Sequence, residues 1–231
     1  MALVALIAWS NRSTSGEAGS SRKPPPTVGE RGWEITSEGD FEERTVDTVG
    51  SRLRLRAATR GMRNELVKFL GLRRREEVRL PAGTRVSADL DWNRQANGSG
   101  LSAGLVLSPA VTSGNPLESA DSLRVEYIGV PPGANARMVI AARKGGRERF
   151  HHTEGWPDAK REGRKIGLQR IEIVIEKGGA FRVLENGKDV YASGPDAISF
   201  DRAFVYLQMS TRSNYPPREV FFDNVVVVPG R

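Results

Sequence analysis

The sequence has no cysteine and only two histidines. Without thiols there is no disulfide framework, no thiolate zinc site and no cysteine nucleophile. The two histidines, His151 and His152, are adjacent. Neighbouring side chains on an extended chain point apart, so the pair does not close around one ion. No third ligand follows at a metal-site spacing. Both read as exposed loop residues that, with Trp156, line the rim of a binding site. No apolar run approaches the roughly 20 residues that cross a bilayer. A P-loop, a Rossmann glycine fingerprint, a nucleophile elbow and a His-Glu-x-x-His helix are all missing. There is no internal repeat and no long run of helical period.

Basic residues are plentiful but dispersed. Lys and Arg number 35 against 28 acidic residues, giving a net charge of +7, and 28 of the 35 are arginine. Such a balance attracts acidic partners, an acidic glycan among them. No long basic block occurs, so a nucleic-acid partner is not expected.

What the chain does have is a series of short β-prone runs. Residues 171–175 alternate Ile with Glu and Val, and a second run starts at Phe181. Asn186-Gly187 then joins residues 181–185 to 188–191. An Asn-Gly pair between two such runs is a strong hairpin signal, because both turn residues need positive φ. Residues 204–209 and 220–228 read as two more strands. Earlier in the chain, residues 52–56, 77–80, 84–92, 101–108, 122–128 and 137–142 read the same way. In 84–92, Val86, Ala88, Leu90 and Trp92 share one face, and Arg85, Ser87, Asp89 and Asp91 share the other. Residues 65–70 are ambiguous in period and are read as a strand from their neighbours. Residues 73–77 read as a charged loop or edge, 109–120 as a polar loop, and 143–167 as the longest stretch without a period. Many short strands separated by turn signals imply a sandwich or a barrel.

The N-terminal part differs in composition. Residues 1–9 are apolar and read as an export signal or the remnant of a membrane anchor, although the basic residues that should precede a signal are missing. Residues 10–28 are rich in Ser, Gly and Pro and read as a linker. Residues 29–231 are then one β domain. This layout leads to an expectation of an extracellular or cell-envelope location, with a tether at the N-terminus.

Several features in order resemble the concanavalin A-like lectin and glucanase superfamily, in particular its laminin-G-like and glucanase-like modules. They are Trp33-Glu34-Ile35 followed by Asp40-Phe41, the small-Gly-Leu-Val-Leu run at 103–107, the Asn186-Gly187-Lys188 hairpin, and the closing Phe222-Asp223-Asn224-Val225. The likeness spans residues 32–228. It implies an all-β jelly roll of two antiparallel sheets. The resembling glucanases carry a Glu-x-Asp-x-x-Glu-like catalytic strand. The stretch taken to match it here, Asp89-Leu90-Asp91-Trp92-Asn93-Arg94, lacks both glutamates.

Candidate site residues follow from residue chemistry. Asp89 and Asp91 put two carboxylates on one strand face, with Cα atoms about 6.5–7 Å apart. Paired carboxylates are the apparatus of glycoside hydrolysis, so these two are the weak catalytic candidates. Trp156, Tyr206 and Tyr215 offer faces for sugar rings, and Gln208 and Arg212 offer groups for sugar hydroxyls. Trp33 and Trp92 are expected in the core. Asp223 and Asn224 have oxygens that suit calcium, with a structural role as the alternative; no other cofactor is expected. The reading is a non-enzymatic carbohydrate-binding module with a shallow groove around Asp89, Asp91, Trp156, Gln208 and Arg212. A glycoside hydrolase on the same fold, and a structural or protein-interaction domain of an envelope assembly, are the alternatives.

Overall fold

The computed structural model describes residues 26–59, 67–92, 101–130, 135–153, 164–165, 168–211 and 214–230. They form a two-sheet antiparallel jelly-roll sandwich. In chain order the strands are β1 (Trp33–Glu38), β2 (Phe41–Val49), β3 (Arg52–Thr59), β4 (Lys68–Arg74), β5 (Val78–Arg79), β6 (Arg85–Asp91), β7 (Ser102–Ser108), β8 (Ser122–Val130), β9 (Asn135–Lys144), β10 (Arg147–Thr153), β11 (Arg164–Lys165), β12 (Leu168–Ile175), β13 (Phe181–Glu185), β14 (Lys188–Ala192), β15 (Arg202–Thr211) and β16 (Arg218–Val228). The first sheet runs β1-β4-β15-β7-β8-β9-β10, with β11 paired to β9 and β5 to β15. The second runs β14-β13-β12-β6-β16-β3-β2. Among the described residues the helical structure is confined to two single 3-10 turns, at Pro116–Glu118 and Lys177–Gly179.

The alternation seen in the sequence becomes the core. Leu70, Leu72, Leu105, Leu107, Val125, Tyr127 and Leu207 point inward from the first sheet and meet Leu55, Val86, Leu90, Ile171, Ile173 and Phe222 from the second. Trp92 and Trp33 join them. Burying apolar surface from both sheets is the main driving force for the sandwich.

Two segments differ from the sequence expectation. Residues 73 and 74 are not loop but the end of β4. The stretch 143–167 holds a full strand, β10, carrying both histidines. Its period is hidden because the register slips between Phe150 and His152, a bulge that breaks strict alternation. His151 and His152 are therefore half-buried strand residues rather than exposed loop ones. His151 packs edge-on against Phe181 at 5.3 Å, and its Nδ1 lies 3.2 Å from the Tyr191 hydroxyl. This contact ties the β10 margin of one sheet to β13 and β14 of the other. Burial, and then the charge of Arg149, push the His151 pKa down.

The hairpin between β13 and β14 turns at Asn186 and Gly187, with φ of 51° and 78°. A Cβ at Gly187 would meet nothing within 4 Å. The cost of a side chain there is thus purely conformational, and Gly187→Ala should lower stability by about 1–2 kcal/mol. Denaturant unfolding at unchanged m-value checks this.

Candidate functional site

Each sheet has an outer face, and the two are built differently. On the second sheet the outward side chains form a lattice of arginines and carboxylates. Arg54 pairs with Asp47 through Nε at 2.9 Å, Arg56 with Glu43 at 2.9 Å, Arg85 with Glu172 at 2.9 Å, and Arg182 with Glu176 at 2.7 Å. Both aspartates picked out as carboxylate candidates sit in this lattice. Arg170 Nη1 lies 2.9 Å from Asp89 Oδ1, and Arg52 Nη1 lies 3.1 Å from Asp91 Oδ2. Asn224 Nδ2 donates to the second Asp89 oxygen at 2.7 Å. The reading of Asp89 and Asp91 as a sugar or catalytic site is corrected on this geometry. Arg170 faces Asp89 in register from the adjacent β12, and Arg52 reaches Asp91 from β3, across β16.

Asp223 and Asn224 belong to the same face. β16 bulges between Asp223 and Val226, and Asn224 takes the left-handed backbone conformation that the bulge requires, φ 47°. Asp223 Oδ1 accepts the Asn224 backbone N–H at 2.9 Å, and Oδ2 accepts the Ser51 hydroxyl at 3.0 Å. Donors already face these oxygens, so the pair does not fit a calcium ion and its role is to brace the bulge. No cluster of three metal-ligating side chains occurs among the described residues. A hollow of about 400 Å³ beside the bulge is bordered by Arg31, Trp33, Arg74 and Asp223. The Arg31 guanidinium there is held by the carbonyls of Gly50 and Ser51.

The outer face of the first sheet carries the unusual polar groups. One transverse row of paired positions reads Thr36, Gly71, Gln208, Gly104, Glu126, Val139 across β1, β4, β15, β7, β8 and β9. Gln208 is 0% exposed and Glu126 2%. Gln208 Nε2 donates to Glu126 Oε2 at 2.7 Å, reaching over β7. The bond exists because Gly104 lies between them. A Cβ at Gly104 would fall 2.9 Å from Glu126 Cβ and 2.1 Å from the Val125 carbonyl. Ser102 and Ser210 share a 2.8 Å hydrogen bond in the next row. Arg124, one outward position along β8, lies 3.5 Å from Glu126 and 3.1 Å from Glu148. Its guanidinium sits 5.6 Å from the Phe150 ring centroid. Phe150 is 57% exposed, at the β10 margin.

Burial of Glu126 raises its pKa, against the opposing pull of Arg124 and the hydrogen bonds of Ser102 and Gln208. Two buried polar atoms of the row have no hydrogen-bond partner, Gln208 Oε1 and Thr36 Oγ1. A buried polar atom left without a partner costs stability and calls for an explanation.

The segment 109–121 lies across the β1 side of this face. Tyr206 donates its hydroxyl to the Ala110 carbonyl at 2.6 Å and accepts the Thr112 N–H at 3.3 Å. Ser37 N–H bonds the Ser113 carbonyl at 2.8 Å. Glu38 accepts the Asn115 N–H at 2.9 Å, and Arg143 donates to the Leu117 carbonyl at 2.8 Å. The strap thus touches β15, β1 and β9.

These positions correct the grouping expected from sequence. Gln208 and Asp89 lie on opposite faces of the sandwich and share no groove. Tyr206 is buried and anchors the strap, so it offers no ring to a ligand. Tyr215 is half-buried at one end of the sandwich, where its N–H bonds Thr59 Oγ1 at 2.8 Å. Trp156 and Arg212 lie outside the described residues. The face is no shallow open groove, since Phe69, Val106, Val139 and Ala141 on it are also buried. Sequence reasoning missed Glu126, Arg124 and Phe150. The one signal was Arg124-Val125-Glu126-Tyr127, an alternation that places two charged side chains on the face away from the core.

No sequence-family model matches the chain, and no curated protein matches it. Solved structures do. A prokaryotic β-1,3-1,4-glucanase (lichenase) from a mouse hindgut metagenome superposes with a TM-score of 0.56 at 12% identity, over 83% of this chain and 90% of that one. An immunostimulatory antigen and pseudo β-1,3-glucanase of Mycobacterium tuberculosis gives 0.57 at 14%, over 86% and 91%. A protein with a galectin-like fold from Bacillus subtilis gives 0.52 at 11%, over 85% and 89%. At these identities the likeness is one of fold. The chain has the concanavalin A-like jelly-roll fold.

Two outcomes follow from the row. Gly104→Ala should cost about 1–3 kcal/mol by overpacking and break the Gln208–Glu126 bond, as read by unfolding and by the Gln208 side-chain amide resonance. Glu126 has the opposite pH sign from a paired surface carboxylate. Its folded pKa is raised, so between the unfolded value, about 4.3, and the folded one the native state holds a proton that the unfolded chain has lost. Its contribution is complete below that window and falls as pH rises through it. Glu126→Gln should therefore gain stability relative to the parent chain on going from pH 4 to pH 8, by thermal melts. A constant difference across that range would show that Glu126 does not titrate in this way.

Proposed function

We propose that this chain binds a neutral, glucan-type polysaccharide on the outer face of its first sheet and does not hydrolyse it. The observation that carries this reading is the exposed ring of Phe150 at the β10 margin, with the Arg124 guanidinium 5.6 Å from it and the buried Gln208–Glu126 pair in the adjoining row. Aromatic faces stack on pyranose rings, and amide and carboxyl groups bond hydroxyls. Glucan-acting structures of the same fold support the ligand class. An exported or envelope location accords with such a ligand and with the apolar start and linker.

A neutral sugar fits better than an acidic one. On this face Arg73 pairs with Glu34, Arg124 with Glu126 and Glu148, and Arg143 with the carbonyls of Leu117 and Gly146. None of these three guanidiniums is left for a uronate or a sulfate. On the second sheet Arg52, Arg54, Arg56, Arg85, Arg170 and Arg182 are likewise neutralised by carboxylates.

Binding without cleavage is favoured by the outward positions of β8, which present Ser122, Arg124 and Glu126. Glycoside hydrolysis uses two carboxyl groups about 5–9.5 Å apart on either side of the scissile bond. Here the strand beside the buried carboxyl supplies a cation and a hydroxyl, and Glu148 is committed to Arg124. The rival reading, a hydrolase with Glu126 as the acid, draws on one observation: burial keeps that carboxyl protonated above its usual range, as a general acid requires.

The test is calorimetric titration of the chain with soluble mixed-linkage and β-1,3-glucan, beside a reducing-sugar assay. Saturable, salt-resistant binding without release of reducing ends is expected. Phe150→Ala should weaken binding by about tenfold, the value of one well-stacked ring, with the melting temperature little changed. Turnover that Glu126→Gln abolishes would establish the hydrolase instead. Binding that disappears in salt would reduce the interaction to net charge.

A further inference from the structure

At one end of the sandwich two cations occupy inward positions. Lys68 opens β4 and shares its side of the strand with the core residues Leu70 and Leu72. Arg218 opens β16 and shares its side with the core residues Val220 and Phe222. One strand belongs to the first sheet and the other to the second, so the cations meet from opposite layers. Both line one cavity of about 10 Å³, together with Thr59, Met209, Thr211 and Tyr215. Lys68 is 3% exposed. Among the described residues its ammonium has one hydrogen-bond partner, the neutral Asn214 Oδ1 at 3.1 Å. Arg218 is half-buried; its Nη1 donates to the Pro217 carbonyl at 3.2 Å, and its Nε is buried with no hydrogen-bond partner. Neither side chain is ion-paired among the described residues. The outward arginines of β3 differ in this respect, since Arg52, Arg54 and Arg56 each meet a carboxylate.

From this geometry we infer that the cavity binds one small anion of the halide class, chloride or bromide, held between the sheets by Lys68 and Arg218. Charge is the first reason. A buried cation is tolerated when an opposite charge pairs with it, and two cations converging on one cavity raise each other's cost. The Asn214 and Pro217 oxygens position the two side chains but carry no net negative charge. Water in the cavity would satisfy donors and neutralise neither cation. Size is the second reason. A cavity this small holds roughly one water-sized species, which leaves no room for sulfate, phosphate or an organic carboxylate. The donors are the third. An ammonium has N–H groups beyond the one given to Asn214, Arg218 contributes its Nε–H, and Thr59 and Thr211 add hydroxyls to the lining. The bound ion ties the first sheet to the second at this end of the sandwich. The site is separate from the outer face and stands or falls without the polysaccharide reading.

The experiment melts the full chain in sodium chloride, sodium bromide and sodium gluconate at matched ionic strength, and records the NMR linewidth of chloride in its presence. The two halides are expected to raise the melting temperature saturably above its value in gluconate, by about 3–6 °C at ten times the dissociation constant. The chain should broaden the chloride resonance, and bromide should reverse the broadening where gluconate does not. Lys68→Met and Arg218→Gln each remove one cation and report any general salt effect. Both should lose the broadening and the halide-specific rise. In gluconate Lys68→Met should melt no lower than the parent, because it removes a buried charge that has no counter-ion there; in chloride it should melt lower. If Lys68→Met does not fold, Arg218→Gln and the parent's own anion series still decide the outcome. A melting gap between parent and variants that is the same in all three salts, or broadening that survives both substitutions, would overturn the site.

Discussion

Everything in this fold depends on the two-residue period of the extended chain. A sandwich buries one face of each sheet, so each strand must supply an apolar side chain at every second position and leave the alternate ones facing out. The inner faces solve the burial problem together, as Leu105, Val125 and Leu207 meet Leu90, Ile171 and Phe222. The outer faces are left as two independent problems, and the chain solves them in opposite ways. On the second sheet it uses charge. Arg52, Arg54, Arg56, Arg85, Arg170 and Arg182 each meet a carboxylate, and the face stays wet. Pairs this exposed contribute little individually to stability. Their effect is on register, because a one-residue slip would turn each pair toward the core. On the first sheet the central outward positions are dried out, and the polar groups that remain there bond to one another except at Gln208 Oε1 and Thr36 Oγ1.

That contrast explains how far the sequence could be read. The hairpin at Asn186-Gly187, the inward sets such as Val86, Ala88, Leu90 and Trp92, and the order of most strands follow from local period and turn chemistry, and the sandwich follows from them. The site does not. Asp89-Leu90-Asp91 and Arg124-Val125-Glu126 have the same local pattern, a polar-apolar-polar alternation on a strand. What separates them is which residues stand opposite. Asp89 faces Arg170 and Asp223 across its two ladders. Glu126 faces Gly104 on one side and Val139 on the other. Except for Val139 in the hairpin partner of β8, those partners lie more than about 20 residues away in sequence, and no local signal encodes their register. Phe150 was hidden for another reason. The bulge after it disrupts the alternation of β10, so an exposed aromatic at a strand margin read as part of a featureless loop.

Tyr206 shows how a residue type can mislead. An aromatic with a hydroxyl beside Gln208 looks like a sugar platform, and its neighbour is indeed in the polar row. The same amphipathic character lets a buried Tyr serve as an anchor, its ring packed and its hydroxyl spent on backbone groups. Here the hydroxyl holds both a carbonyl and an N–H of the strap, and burial pushes its pKa up. The phenol is thereby a positioning device for segment 109–121, and its position decides which part of the outer face is walled.

The pair formed by Glu126 and Gln208 remains to be weighed. A carboxyl 2% exposed is expensive to ionise, and a Val or Leu of suitable volume at the same place would remove the penalty altogether. Gly104 adds to the cost, because a glycine within a strand weakens it. The chain therefore carries two locally unfavourable choices, side by side, at the centre of its sheet. They have one joint consequence. The glycine clears the space through which Gln208 reaches Glu126, which fixes the amide and leaves its carbonyl unspent. Local rules of this kind are broken mainly where function demands it. The other glycine of the row, Gly71, has the Phe69 ring packed over it, so the same device that admits the Gln208–Glu126 bond on one side admits an aromatic ring on the other, and the row is held by packing and hydrogen bonding together.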